Sequence, residues 1–334
     1  MKTYVYKFTG LLLFYLIMNN VNAQQFSAEE PFAHTFSIVA IDTVAGEMAV
    51  GVQSHWFSVG TIVSWAKSGV GVVATQSFVN PALGTDGLKL MEQGNTAKVT
   101  LERLIQADQG RDYRQVAMLD KNGIISVYTG KKCVQYASHI KGNNYSVQAN
   151  MMLNDKVVPA MAKAFEESIN LPIAERVVKA MLAAQQAGGD IRGKQSAAML
   201  VVSTKPAQNE WMDKKIDLRV DDHSNPLKEL NRLLKVHRAY EHMNKGDLAI
   251  ENGNMQLALK EYGAAEQMFP HNLEMKYWKA VALANNSKLK DALPIFKYIF
   301  EEDRNWYELT KRLPESGLLT ISEEGMRKIL ELKR

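Results

Sequence analysis

Two apolar segments joined by a tight reversal constrain this chain more than any other feature. Residues 34–54 read His-Thr-Phe-Ser-Ile-Val-Ala-Ile-Asp-Thr-Val-Ala-Gly-Glu-Met-Ala-Val-Gly-Val-Gln-Ser. Apolar residues occupy successive rather than alternate positions, so both faces of each strand need cover. Residues 43–46 form the reversal, because Asp42 can bond its own backbone and Gly46 accepts positive φ. Thr35, a hydroxyl residue, opens the first strand.

The rest of the chain follows the same logic. With 334 residues the expectation is two units plus a targeting segment. Residues 1–23 carry Lys2 and Lys7, an apolar core over 11–18 and a small-residue end at Val21-Asn22-Ala23, the layout of a secretory signal peptide. Residues 24–33 then read as a linker, and the expected location is periplasmic or extracellular, with no membrane attachment once the signal is cut. Cys133 is the sole cysteine, so no intramolecular disulfide is available, and a packed core of apolar residues must hold the exported chain together. The formal charge of +4, without a basic run or aromatic-basic interleaving, argues against nucleic acid as a partner.

Residues 70–79 read as a strand ended by Asn80-Pro81, and 86–93 as a short helix stopped by Gly94. Thr96 suits the N-cap of a helix reaching Ala107. Residues 115–119 and 124–128 flank an Asn122-Gly123 hairpin, and 145–151 is a further strand. Helices are expected over 155–168 and 172–187, and strands over 196–203 and 215–220. This order fits a sheet-rich sandwich layered with helices better than regular βαβ alternation. No Gly-rich phosphate loop supports a nucleotide fold.

Near Asp221 the composition turns helical, and two units are placed at 34–223 and 224–334. A helix is expected over 227–243, with covering helices at 306–313 and 322–332. Gly246, Ala258, Tyr262, Ala265 and Pro270 follow the small-and-aromatic spacing of tetratricopeptide repeats. A 34-residue shift carries Gly246, Ala258 and Tyr262 onto Ala280, Ala292 and Phe296, which gives repeats at about 239–272 and 273–306. Such a unit is a surface for a protein partner.

Several stretches together resemble the domain-of-unknown-function 1028 family. They are Thr35 to Ala40, Gly51-Val52-Gln53-Ser54, Ala74 to Pro81, Tyr113-Arg114-Gln115, Tyr145 to Met151, Gly188 to Ala198 and Asp217 to His223. The resemblance implies an α+β, four-layer αββα sandwich of the N-terminal-nucleophile hydrolase superfamily, with the all-α tetratricopeptide-like domain outside it. It also implies chemistry. In such enzymes cleavage ahead of a Thr, Ser or Cys frees an α-amine, which acts as base for the side-chain nucleophile. Thr35 matches that position. Asn150, Gln76 and Gln148 are amide-bearing candidates to stabilise the oxyanion. A signal cut after Ala23 leaves Gln24 to His34 in front of Thr35, so a second cut at the His34–Thr35 bond is required.

Other polar clusters are candidate ligand sites. Gln53, Ser54 and His55 follow a strand end, where loops commonly carry ligands. Asp190, Arg192 and Lys194 could bind an acidic substrate or pair with one another. Within Thr75-Gln76-Ser77 alternation turns Gln76 away from its neighbours. Asp221-Asp222-His223 lacks a matched second cluster, so no metal and no cofactor is expected, and a salt-bridged link to Arg219 or the following helix is the simpler use. No Gly-x-Ser-x-Gly elbow supports a serine triad. The expected function is an exported amide hydrolase with a small polar or amide-containing substrate and a helical partner-binding tail; homo-oligomers are compatible with it. Two alternatives remain: a non-catalytic protein that holds a small polar ligand with Gln53, Gln76, Asn150 and Arg192, or a scaffold acting through its tail.

Overall fold

The computed structural model describes residues 32–33 and 35–333. The expected signal segment, most of the linker and His34 lie outside the described residues. Strand β1 is Phe32–Ala33, β2 Thr35–Asp42, β3 Glu47–Ser54, β4 Ser64–Lys67 and β5 Gly71–Phe78. After helices α1 (Ala82–Glu92) and α2 (Ala97–Ala107) come β6 (Arg114–Asp120), β7 (Ile125–Thr129), β8 (Ser138–Gly142) and β9 (Tyr145–Ala149). Helices α3 (Val157–Glu167) and α4 (Ile173–Gln186) precede β10 (Ser196–Ser203) and β11 (Lys214–Val220). The tail holds α5 (Pro226–Glu251), α6 (Met255–Met268), α7 (Leu273–Asn285), α8 (Leu289–Glu302), α9 (Arg304–Arg312) and α10 (Glu323–Leu330).

The strands make two antiparallel sheets. One runs β1-β5-β6-β7 with β4 also on β5; the other runs β11-β10-β3-β2-β9-β8. The β2–β3 reversal forms as expected: Asp42 Oδ1 accepts from the N–H of Val44 and of Ala45, both at 2.9 Å, and Gly46 sits at φ 65°. Alternation then sorts the apolar residues. Val39, Ile41, Val50 and Val52 meet Val72, Ala74, Ala117 and Leu119 between the sheets. Phe36, Ile38 and Ala49 on the opposite face meet Val177, Val178 and Met181 of α4. Val73, Val116 and Met118 meet Leu101 and Ile105 of α2 on the outer face of the first sheet. Helices therefore cover both outer faces, which is why β2 and β3 are apolar on both sides.

Several boundaries differ from expectation, for physical reasons. Helix α1 starts at Ala82, ahead of the expected 86, and its Gly84 packs on Trp65, where a Cβ would lie 2.4 Å from the indole. Helix α5 does not end at 243 but runs to Glu251. Its Gly246 packs on Tyr262, where a Cβ would come within 2.4 Å of the ring. The first part of α5, through Leu227, Leu230 and Leu234, joins the core of α3 and α4, and its second part, through Ala239 and Met243, joins α6 and α7. One helix thus ties the two units. Arg238 reinforces the junction with bonds of 2.8 and 3.0 Å to Glu175 of α4. Asp221 pairs with the Ser58 hydroxyl at 2.7 Å instead of Arg219, which lies nearest Asp217.

Candidate active site

Thr35 is the first residue of β2, an interior strand, and is fully buried. It pairs with Ser54 of β3, and its carbonyl oxygen accepts from the Asn150 N–H at 3.1 Å. Thr35 and Ser37 share the face that Val39 and Ile41 turn toward the other sheet. At this end the space between the sheets is polar instead of apolar. Gln76 of β5 and Gln115 of β6 enter it from the opposite sheet, on the faces marked by Ala74 and Ala117.

The polar groups there hold one another. Gln76 Nε2 donates to Gln115 Oε1 at 2.5 Å and approaches the carbonyls of Thr35 and Gln148 at 3.3 and 3.4 Å. Asn150 Nδ2 donates to the same Gln115 oxygen at 3.0 Å and reaches Thr35 O at 3.5 Å. Gln115 Nε2 is directed at Thr129 Oγ1, Ala149 O and Ser138 O, between 2.9 and 3.2 Å. Gln148 sits one residue pair deeper: its amide donates to Ser37 Oγ at 2.6 Å and its oxygen accepts from Ser146 at 3.0 Å. Leaving any such buried amide unpaired costs about 1–3 kcal/mol, so the network fixes the end of β2 to both sheets.

Of the residues singled out in the sequence, Thr35, Ser54, Gln76, Gln148 and Asn150 come together here. Gln53 does not. It faces the α4 layer with Gly51, and neither polar atom of its buried side chain has a partner among the described residues. Gln115, whose carboxamide ties Gln76 to Asn150, stands out in the sequence only as part of a family-like motif; its place beside two small alternating residues, Ala117 and Ala74, is the signal that could have found it.

Asp190, Arg192, Lys194 and His55 form the rim. The loop from Gly188 to Gln195 bonds β9's exit through Ile191 N to Met151 O at 3.2 Å, and β3's exit through Gln195 N to Ser54 O at 3.0 Å. These strands flank Thr35, so the loop crosses the end of β2. Asp190 is buried and accepts from Arg192 Nη2 at 2.7 Å, Arg192 Nε at 3.1 Å and the His55 N–H at 3.3 Å. Its charge holds the loop. No helix of the described residues is long and apolar enough to cross a membrane, and among them no group of three His, Cys, Asp or Glu side chains is placed to hold a metal.

A cavity of about 430 Å³ lies at the other end of the sandwich, lined by Lys67, Asp120 and Asp213 among others, and none of the singled-out residues borders it. Asp120 there is already engaged, accepting from the N–H groups of Ala97, Asn122 and Ile124. The cavity's size therefore carries less weight than the chemistry around Thr35.

Residues 35–230 match the model of a family of unknown function, DUF1028. The crystal structure of protein SPO2555 from Silicibacter pomeroyi, which carries the same family model, is similar to this chain with a TM-score of 0.54 and 27% sequence identity, over 60% of this chain and 88% of that one. No curated protein matches significantly. With its interior strand, its polar end and more than half its length matched, the chain belongs to the DUF1028 family.

Proposed function

We propose that this is an exported amide hydrolase of the N-terminal-nucleophile type, with Thr35 as nucleophile and a tetratricopeptide-like tail for a protein partner. The observation that carries the reading is the position of Thr35: first residue of an interior strand, in the polar end of the sandwich, with the amides of Gln76 and Asn150 at its carbonyl. Activation begins at the His34–Thr35 bond. Thr35 Oγ attacks the His34 carbonyl carbon, the C–N bond breaks and the hydroxyl proton ends on the freed nitrogen; water then hydrolyses the ester. The new α-amine, which titrates near pH 8 in unperturbed chains, takes the Thr35 hydroxyl proton in each later cycle and hands it to the leaving amine. Water resolves the acyl-enzyme.

Gln76, Asn150 and Gln115 are positioning residues that hold the main chain of Thr35. In the tail, Gly246 against Tyr262 and Ala280 with Phe296 repeat the small-and-aromatic contact 34 residues apart. A cavity of about 360 Å³ beside Asp247, Tyr262 and Trp278 is the place for a partner segment. The experiment is a pair of full-length variants followed by mass spectrometry. Thr35→Ser is cut at its residue 34–35 bond and Thr35→Ala is not; cutting of Thr35→Ala removes the threonine mechanism.

A further inference from the structure

The outer edge of β5 is closed by two different pieces of chain. Strand β4 covers Gly71 to Ala74, with Thr75 N–H bonded to Val63 O at 3.0 Å. Strand β1 covers the remainder, with Phe32 opposite Phe78 and Ala33 opposite Ser77. The chain then crosses to the other sheet, and Thr35 begins β2. The piece that closes this part of the edge is thus the acyl side of the bond proposed to be cut. Thr35 is fully buried while the segment stays in place. After the cut, β1 is held by a ladder only two residues long and is free to exchange with another extended peptide. Its departure leaves an open sheet edge leading to the nucleophile, and sheet edges bind main chain.

We infer that the substrate is an extended peptide whose acyl side lies antiparallel to Ser77–Phe78 in the place of Phe32–Ala33, with its scissile carbonyl presented to Thr35 Oγ. This rests on the hydrolase reading. The chemistry is the same and balances: Thr35 Oγ bonds the peptide carbonyl, the C–N bond breaks, the amine leaves with the proton, and water releases the peptide acid.

The test uses full-length protein after it has been cut at His34–Thr35, with uncut Thr35→Ala as the closed form. The binding probe is N-acetyl-Phe-Ala-His free acid, measured by calorimetry, with two analogues N-methylated at Ala or at His. Adjacent residues of a strand point their N–H groups to opposite sides, so one methyl group should weaken binding at least tenfold and the other little, and the closed form should not bind. Turnover of the aminomethylcoumarin amide of the same peptide is followed in parallel. Peptide binding that ignores both methyl groups, or none at all in cut protein, overturns the peptide-edge inference. If simple acyl amides are nonetheless turned over, the hydrolase reading stands without it. A full-length chain that is never cut overturns both.

Discussion

Gln76 Nε2 lies 3.3 Å from the main-chain oxygen of Thr35, so a residue of one sheet holds the first residue of an interior strand of the other. The hold depends on Gln115, whose Oε1 accepts from both Gln76 and Asn150. Gln115→Leu removes that acceptor and also the donors to Thr129, Ser138 and Ala149. We predict a loss of about 3 kcal/mol in stability, from several buried groups left short of partners, and slower cutting ahead of Thr35. Denaturant unfolding and the time course of the N-terminal mass check the two parts.

Gln53 makes the opposite prediction. Its buried carboxamide has no partner among the described residues, and such a group costs about 1–3 kcal/mol relative to one that is paired. Gln53→Leu, close in volume, should raise the melting temperature and leave amide turnover unchanged. A lower melting temperature would reveal a bonding partner for this side chain.

Gly246 tests the tail. Alanine is the better helix former by about 1 kcal/mol, but its Cβ would sit 2.4 Å from a Tyr262 ring carbon, and overpacking costs about 1–3 kcal/mol. The Tyr262 hydroxyl is anchored on Asp247 at 2.7 Å, so the ring has little room to retreat. Gly246→Ala should therefore lower the midpoint of urea unfolding, read from tryptophan fluorescence.

The shared helix α5 should weaken in acid. The Glu241 carboxyl is held down to about 2 by its neighbours His237, at 3.6 Å, and Arg238, at 2.8 Å. His237 is beyond hydrogen-bond distance, so we assign the larger share to Arg238. Because the folded value is below the ordinary 4.5, this contribution is full above pH 4.5 and is lost as pH falls toward 2. Both partners are partly exposed, which keeps it modest. Glu241→Gln should lower the melting temperature near pH 6, and its difference from wild type should vanish near pH 2.

How far the sequence could be read follows from which residues carry contrast. The β2–β3 pair, β10 and the Thr96 cap of α2 are legible because apolar runs and turn residues mark them; Thr96 Oγ1 indeed accepts from Val99 N–H. Strand β8, Ser-His-Ile-Lys-Gly, lies at a sheet edge and is mostly exposed, so no apolar pattern announces it. Strand β1 has only two residues and takes its structure from the edge of β5. Gly246 and Tyr262 are legible as a small-and-aromatic pair from their repeat spacing, and a Cβ at Gly246 would indeed meet that ring, whereas the contact of Gly84 with Trp65 joins residues that no local pattern links. At the site, alternation places Gln76 apart from Thr75 and Ser77, whereas the junction of Gln76 and Gln115 needs two strands in register, which no single segment encodes.

The proposed chemistry requires Thr35 to become the first residue of the working protein. Intact-mass and N-terminal peptide analysis of the mature protein decides this. A chain beginning at Thr35 is expected; a homogeneous chain beginning at Gln24 in a preparation that hydrolyses amides would rule out the threonine mechanism.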